Sequence, residues 1–104
     1  MAKRLCGTAT KRPVVIHYFR WQGHSESHMH DLEAWITAFK DKFEDVIDLS
    51  QGAPRVLTLE GISYKLPKGY VIIRGVAGEY YPCEPKIFND TYDFVESGAH
   101  IVRT

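Results

Sequence analysis

Aromatic side chains alternate with arginine in two stretches of the sequence, residues 17–21 and 70–81. Aromatic rings and guanidinium planes can stack on a nucleobase, and arginine can also make a bidentate contact with a phosphate. The two stretches therefore predict a binding site for a nucleotide-type small molecule. The candidate ligand-binding residues are Tyr18, Arg20, Arg74, Tyr80 and Tyr81.

The same pattern is also typical of a β-sheet with one buried face, because side chains alternate between the two faces of a strand. In that interpretation the inner face consists of Phe19, Trp21, Val71 and Ile73. The outer, amphipathic side then consists of Tyr18, Arg20 and Arg74. Tyr, Trp and Arg are also enriched among the residues that dominate protein interfaces, so this outer side could equally bind a protein.

Three histidines, His24, His28 and His30, lie within seven residues of one another. The spacing of His24 and His28 would suit a metal ion if both residues were helical. However, Gly23 and Ser25 indicate that His24 precedes the helix, and His28 and His30 point in nearly opposite directions on a helix. We therefore predict no metal site and no cofactor.

The sequence carries no motif of a catalytic nucleophile or of a phosphate-binding loop. Cys83 stands next to Glu84, and a neighbouring carboxylate raises the pKa of a thiol rather than activating it. The segment from Gly75 to Gly78 is typical of a hairpin turn. These features predict a binding protein rather than an enzyme.

The elements that would position these residues are predicted by hydrophobic periodicity. Residues 12–22 favour a strand in which Tyr18 and Arg20 share one face and Phe19 lies on the other. An apolar stripe with helical spacing then begins near Ser27, with Ser25 or Ser27 as the N-cap. This helix is expected to end near residues 42–45.

The second half of the chain favours strands joined by short turns, at residues 46–49, 55–59, 62–66, 70–74 and 79–81. Pro85 suits the first position of a second helix, which Gly98 would close. The predicted fold class is α+β, a small antiparallel sheet with one long and one short helix packed on it. We expect one globular domain over residues 1–104, with residues 1–10 as a loosely ordered tail.

Composition narrows the possible partners. The chain has 104 residues, 13 Lys and Arg against 13 Asp and Glu, and a pI near 7.0. Such a balance argues against binding to long nucleic acid, which requires a broadly basic surface. We find neither a secretory signal nor a stretch apolar enough to cross a membrane, and Cys6 and Cys83 are not in a CxxC spacing. We expect a cytoplasmic protein with reduced thiols.

Three blocks of the sequence resemble a small protein family that is widespread in tailed phages and prophages. The blocks are Lys11–Ile16 (KRPVVI), Thr58–Gly61 (TLEG) and Gly69–Tyr92 (GYVIIRGVAGEYYPCEPKIFNDTY). They follow the family order KPVV, TLEG and GD(Y/W)IIKGV.GE.YPCKPDIF..TY. This chain departs from the family pattern in having Lys68–Gly69 in place of Gly-Asp, and in its long aromatic helical segment at residues 27–43.

The resemblance implies a phage origin and a place in the host cytoplasm, but it carries over no activity and no catalytic residue. Small neutral phage proteins commonly act by binding. We therefore expect an accessory protein that counters host defence by sequestering a nucleotide-type signal, with a homo-oligomer as one possible form. The alternatives are an inhibitor that binds a host defence protein through the helix and the Tyr80–Tyr81 segment, or a minor assembly or regulatory factor.

Overall fold

The computed structural model describes residues 5–10, 14–23, 25–95 and 100–103, and within these ranges it shows an α+β fold. This confirms the predicted class, with two small antiparallel sheets in place of one. The chain order is β1 (Val14–Arg20), α1 (Glu26–Thr37), α2 (Phe43–Val46), β2 (Ile47–Asp48), β3 (Arg55–Leu57), β4 (Ser63–Lys65), β5 (Val71–Arg74), β6 (Tyr80–Cys83), α3 (Pro85–Thr91), β7 (Phe94–Val95) and β8 (His100–Arg103).

The larger sheet has five strands in the order β6-β5-β1-β8-β7, and every described pair is antiparallel. Its central strand β1 is rich in β-branched and aromatic residues, which suit a strand covered on both sides. Backbone hydrogen bonds between Trp21 and the segment Gly69–Tyr70 extend the β1–β5 ladder beyond the strand ends. Strand β1 therefore fixes the positions of both of its neighbours.

Helices cover the two faces of this sheet. On the face that we call the α1 face, Phe19 and Ile72 pair across the strands and pack in one cluster with Leu32 and Ile36 of α1. On the opposite α3 face, Ile16, Tyr18, Val71 and Ile73 pack against Phe88 of α3. Among the described residues, no polar or charged residue is buried in either cluster.

This arrangement corrects one prediction about the sheet. The alternation of Tyr18 and Phe19 between faces is confirmed, but Val71 and Ile73 lie on the face of Tyr18, not on that of Phe19 and Trp21. Tyr18 is not an outward residue, since only 4% of it is exposed. The prediction failed because it assumed one solvent face, whereas both faces of the sheet are packed.

Helix α1 begins as predicted and ends earlier than predicted. The Ser25 side chain accepts a hydrogen bond of 3.3 Å from the backbone N–H of His28. This bond gives an acceptor to one of the N–H groups that have none within the first turn of a helix. The helix stops at Thr37, and Lys40 has a φ of 70°, in the left-handed region. The chain therefore turns at residues 38–40, and residues 43–46 form the separate short helix α2.

The smaller sheet has the order β2-β3-β4. Its strands lie within the predicted segments 46–49, 55–59 and 62–66 but are shorter, since residue 46 belongs to α2 and residues 59–60 form the turn between β3 and β4. Val56 and Ile47 pair in this sheet and join the core cluster on the α1 face. The α1 helix and the small sheet thus share one apolar interior.

Helix α3 begins at Pro85, as predicted, but it ends at Thr91. Tyr92 has extended backbone angles, and Val95, which falls between the predicted helix ends at Pro85 and Gly98, lies in strand β7. The predicted closing residue Gly98 lies outside the described residues. Strand β8 was not predicted at all, although it pairs with both β1 and β7. Within the described residues, no helix combines the length and the apolar character needed to span a membrane.

The left-handed turn that ends α1 gives a first testable prediction. Replacing Lys40 by Gly removes the steric conflict of a side chain at positive φ, so we expect Lys40→Gly to raise the free energy of unfolding by about 1 kcal/mol. Lys40→Ala removes the charge but keeps the conflict, and it should leave stability unchanged or lower. Urea unfolding of both variants measures the difference, and equal stabilities would contradict the assignment of strain to this residue.

Candidate functional site

The five predicted ligand-binding residues do not line a common pocket, because the sheet divides them. Tyr18, Arg20 and Tyr81 lie on the α3 face, since Tyr18 pairs with Ile73 and Ile73 pairs with Tyr81. Arg74 and Tyr80 are cross-strand partners on the α1 face. The structure therefore brings together only the second pair.

On the α3 face these side chains pack against helix α3. The ring of Tyr18 lies 5.1 Å from the ring of Phe88, and the Arg20 guanidinium carbon lies 5.6 Å from the centre of the same ring. Burial, together with the neighbouring Tyr92, raises the pKa of Tyr81 above its ordinary value. Tyr18 and Arg20 thus both contact the ring of Phe88 within the protein.

On the α1 face, Arg74 and Tyr80 meet the carboxylate of Asp41, which lies between α1 and α2. The Tyr80 hydroxyl donates a hydrogen bond of 2.7 Å to Asp41 Oδ2, and Arg74 Nε lies 3.5 Å from the same oxygen. The Arg74 guanidinium also lies over the ring of Phe39, 4.4 Å from its centre, in a cation–π contact. Burial and the bond to Asp41 raise the pKa of Tyr80, which keeps the hydroxyl protonated as a donor.

The cluster lies next to the hairpin turn between β5 and β6, which is closed by hydrogen bonds of its own. The Gly75 N–H donates to the Glu79 carbonyl at 2.8 Å, and the Glu79 carboxylate accepts from the Ala77 N–H at 3.0 Å. Gly78 has a φ of 82°, and a side chain there would approach the Arg74 guanidinium. The glycine-rich segment is therefore a hairpin turn, as the sequence predicted, and the structure adds that Gly78 lies against the Arg74 guanidinium.

Two of the described histidines, His17 and His28, pack against aromatic rings. His28 Nε2 accepts a hydrogen bond of 2.8 Å from the Gln22 N–H, and its ring lies about 5 Å from the rings of Phe19 and Trp21. His17 lies against Phe39. Within the described ranges, no group of three His, Cys, Asp or Glu side chains could hold a metal ion. His24 lies outside those ranges.

Cys83 has the environment of a packed thiol. Burial, followed by the adjacent Glu84 carboxylate, raises its pKa, and its Sγ lies 3.6 Å from the Glu84 carbonyl oxygen. A raised pKa reduces the fraction of reactive thiolate at neutral pH. The direction agrees with the effect expected from the sequence, and the structure adds burial as its larger cause.

Negative charge is concentrated at residues 26–48, a feature that none of the predictions from the sequence includes. This segment contains seven Asp and Glu against two Lys, a formal charge of −5 in a chain whose total is zero. It forms α1, α2, the turn between them and strand β2, and four of its seven carboxylates line two clefts beside these helices. The charge imbalance can be counted in the sequence. The two clefts that the carboxylates line are formed only by the fold, so the sequence alone could not show a binding surface.

The first cleft, of about 350 Å³, lies between α1 and α2. Its rim is acidic and its floor is apolar, with Glu26 and Glu33 beside Met29 and Phe43. His30 also lines it. Because residues four and seven positions apart follow one face of a helix, α1 presents Glu26, His30 and Glu33 in a single row.

The second cleft, of about 170 Å³, lies where α2 meets the tips of two hairpins. Asp41, Asp45 and Glu79 contribute carboxylates to its wall, and Lys42 contributes an ammonium group. Leu59 forms part of the same wall and is 75% exposed. We use the name acidic face for the surface around both clefts, defined by Glu26, Glu33, Asp41, Asp45 and Glu79.

No protein-family model, curated protein or solved structure matches the chain. The geometry of the described residues therefore carries the functional argument, and the resemblance to the phage family stays a prediction.

The shared carboxylate of Asp41 gives a second testable prediction. Tyr80→Phe removes the 2.7 Å hydrogen bond and should lower the free energy of unfolding by about 1 kcal/mol. Asp41→Asn should lower it as well, and the double variant should lose less than the sum because both changes remove the same interaction. Urea unfolding completes the cycle. Asp41→Asn combined with Tyr81→Phe is the control, since Tyr81 lies on the opposite face, and non-additivity there would contradict the pairing.

The raised pKa of Tyr81 gives a third prediction, for alkaline pH. The unfolded chain loses this phenolic proton near pH 10, whereas the folded protein retains it to higher pH, so deprotonation favours unfolding. Stability should therefore fall as pH rises above about 10, and Tyr81→Phe should reduce that fall. Urea unfolding at about pH 8 and about pH 11 measures it. Tyr64→Phe on exposed strand β4 is the matched control, and identical pH dependence in both variants would disprove the assignment.

Proposed function

We propose that this protein is an accessory binding protein that acts by direct contact with another protein through the acidic face. The observation that carries the proposal is a pair of clefts that combine apolar walls with carboxylates: Glu26 and Glu33 line the first cleft, and Asp41, Asp45 and Glu79 line the second. Four of these five carboxylates belong to residues 26–48, a segment with a formal charge of −5. The partner that fits is a protein segment in which Lys or Arg side chains alternate with apolar ones. Electrostatic complementarity of this kind speeds encounter and rejects partners of like charge.

The composition of the acidic face supports protein binding. Met and aromatic residues are enriched at protein interfaces, and the first cleft offers Met29 and Phe43, both partly buried. The second cleft is bordered by exposed apolar groups: Leu59 lies in its wall, and Val76, 71% exposed, lies in the turn that contributes Gly78 and Glu79. Apolar side chains next to carboxylates allow a partner to combine burial with ion pairing.

The phage resemblance supports a partner among host defence proteins. Of the two ways of countering a defence, contact with a protein is favoured over sequestering a nucleotide signal. The five residues predicted for a nucleotide site lie on two opposite faces, and Arg74 is engaged by Asp41 and Phe39. A role as an assembly factor would instead predict co-purification with virions.

The fourth prediction tests the acidic face with a charge-reversed pair. The partner is first captured from host cells by cross-linking, purified, and its dissociation constant measured by calorimetry at two salt concentrations. Glu26→Lys with Glu33→Lys should weaken binding at least tenfold at low salt, and wild-type binding should weaken as salt rises. Glu84→Lys with Asp90→Lys gives the same change in charge at helix α3, on the opposite face of the larger sheet, and should bind as the wild type does.

Two results would overturn this proposal. One is equal weakening by both charge-reversed pairs, which would indicate a general charge effect rather than a defined surface. The other is a clear thermal shift with cyclic dinucleotides, ADP-ribose derivatives or nicotinamide nucleotides that Arg74→Ala abolishes in a folded variant. A ligand at a hundred times its dissociation constant stabilises a protein by about 2.7 kcal/mol, so such a shift would be readily measured.

A further inference from the structure

A separate groove lies on the smaller sheet, outside the acidic face. It has a volume of about 270 Å³ and runs between the β2–β3 loop and the end of strand β4. Its lining includes Gln51, Pro54, Arg55, Lys65, Leu66 and Pro67. In contrast to the two clefts of the acidic face, the charged residues that line this groove are both cations.

The two cations face each other across neighbouring strands. Arg55 of β3 is the register partner of Lys65 of β4, so their side chains leave the sheet on the same face. Like charges in directly opposite positions are unfavourable in a sheet. Within the described part of the chain, neither residue forms an ion pair. Asp48, the partner of Arg55 on the other side, accepts a 2.9 Å hydrogen bond from the Ser50 N–H, and its pKa is lowered first by Ser50 and to a smaller extent by the charge of Arg55.

The Arg55 guanidinium is held in place by its neighbours. Nε donates to Ser63 Oγ at 2.9 Å, and Nη2 donates to the Ser63 carbonyl at 3.0 Å. These bonds use part of the donor set, since a guanidinium has five N–H groups. A side chain fixed in this way loses little conformational entropy when it binds an anion.

The floor of the groove is apolar. Pro54 and Leu66 are buried, and Pro67 forms a further part of the wall. Gln51 adds an amide that can donate or accept a hydrogen bond. The volume is close to the lower limit for small-molecule pockets, about 300 Å³, and therefore suits a ligand with a single ring.

We propose that this groove binds a small ligand that carries a phosphate or carboxylate group directly attached to an apolar ring. The anionic group lies between Arg55 and Lys65, and the ring lies on Pro54, Leu66 and Pro67. Binding places a negative charge between two cations that lack an ion-pair partner in the described chain. This site is independent of the acidic face and of any protein partner.

The fifth prediction tests this site with four probes in ¹H–¹⁵N NMR titrations of the full chain. Phenyl phosphate and benzoate carry both an anion and a ring, inorganic phosphate lacks the ring, and benzyl alcohol lacks the charge. We expect saturable shifts of the Leu66 and Lys68 amides and of the Arg55 Nε–H with at least one of the first two probes, at millimolar dissociation constants. Inorganic phosphate and benzyl alcohol should bind at least about tenfold more weakly.

Two variants separate the groove from general attraction of anions. Lys65→Gln should raise the dissociation constant about tenfold. Lys86→Gln removes the same charge from helix α3 and should leave it unchanged. A response to phenyl phosphate alone identifies a phosphate site, and a response to benzoate alone identifies a carboxylate site. The proposal is overturned if neither probe shifts these resonances, if inorganic phosphate binds as tightly as phenyl phosphate, or if both variants have the same effect.

Discussion

Strand β1 packs against helices on both of its faces, and most of the structure depends on this constraint. Ile16 and Tyr18 point toward α3, while Phe19 and the following Trp21 belong to the cluster that holds α1. A shift of one residue in the register between β1 and β5 would exchange these two sets, so the packing of each helix specifies the same pairing. The alternation of aromatic and charged side chains in this segment is therefore required by the fold itself. Aromatic rings and guanidinium groups that could recognise a nucleotide are used here to join a sheet to its helices.

The Asp41 carboxylate links the β5–β6 hairpin to the turn that follows α1. Tyr80 and Arg74 both contact one oxygen of this group, and Phe39 supports the guanidinium from the other side. Because Asp41 and Tyr80 are separated by 39 residues, the interaction connects parts of the chain that no local element connects. It also holds α2 and the hairpin tips at the positions that form the second cleft. The shape of the acidic face thus depends on the contacts of Asp41 with Tyr80 and Arg74, which a protein partner need not touch.

Local sequence signals predicted where helices and strands lie better than they predicted which face of the sheet a residue occupies or which residues form the candidate site. The start of α1 at Ser25 and of α3 at Pro85 follow from capping and from the fixed φ of proline, both readable in the sequence. The end of α1 could not be read, because a lysine rarely adopts the left-handed conformation seen at Lys40. The assignment of Tyr18 to a solvent face failed because only tertiary packing places Phe88 over it. For the same reason, the sequence showed neither that Arg74 and Tyr80 meet at Asp41 nor that the remaining three residues lie on the other face.

The unequal distribution of charge has a consequence for how the protein behaves before any contact forms. Residues 26–48 carry a formal charge of −5, and the rest of the chain carries the balancing +5. Because its net charge is zero, the protein as a whole should migrate little in an electric field near neutral pH. A molecule close to the surface, however, experiences the electric field of the nearest charged groups and not that of the net charge. Within about 8 Å of the surface at physiological ionic strength this field is only partly screened, so a cationic molecule approaching at random is turned toward α1. The protein can therefore orient an approaching cation even though its net charge is zero.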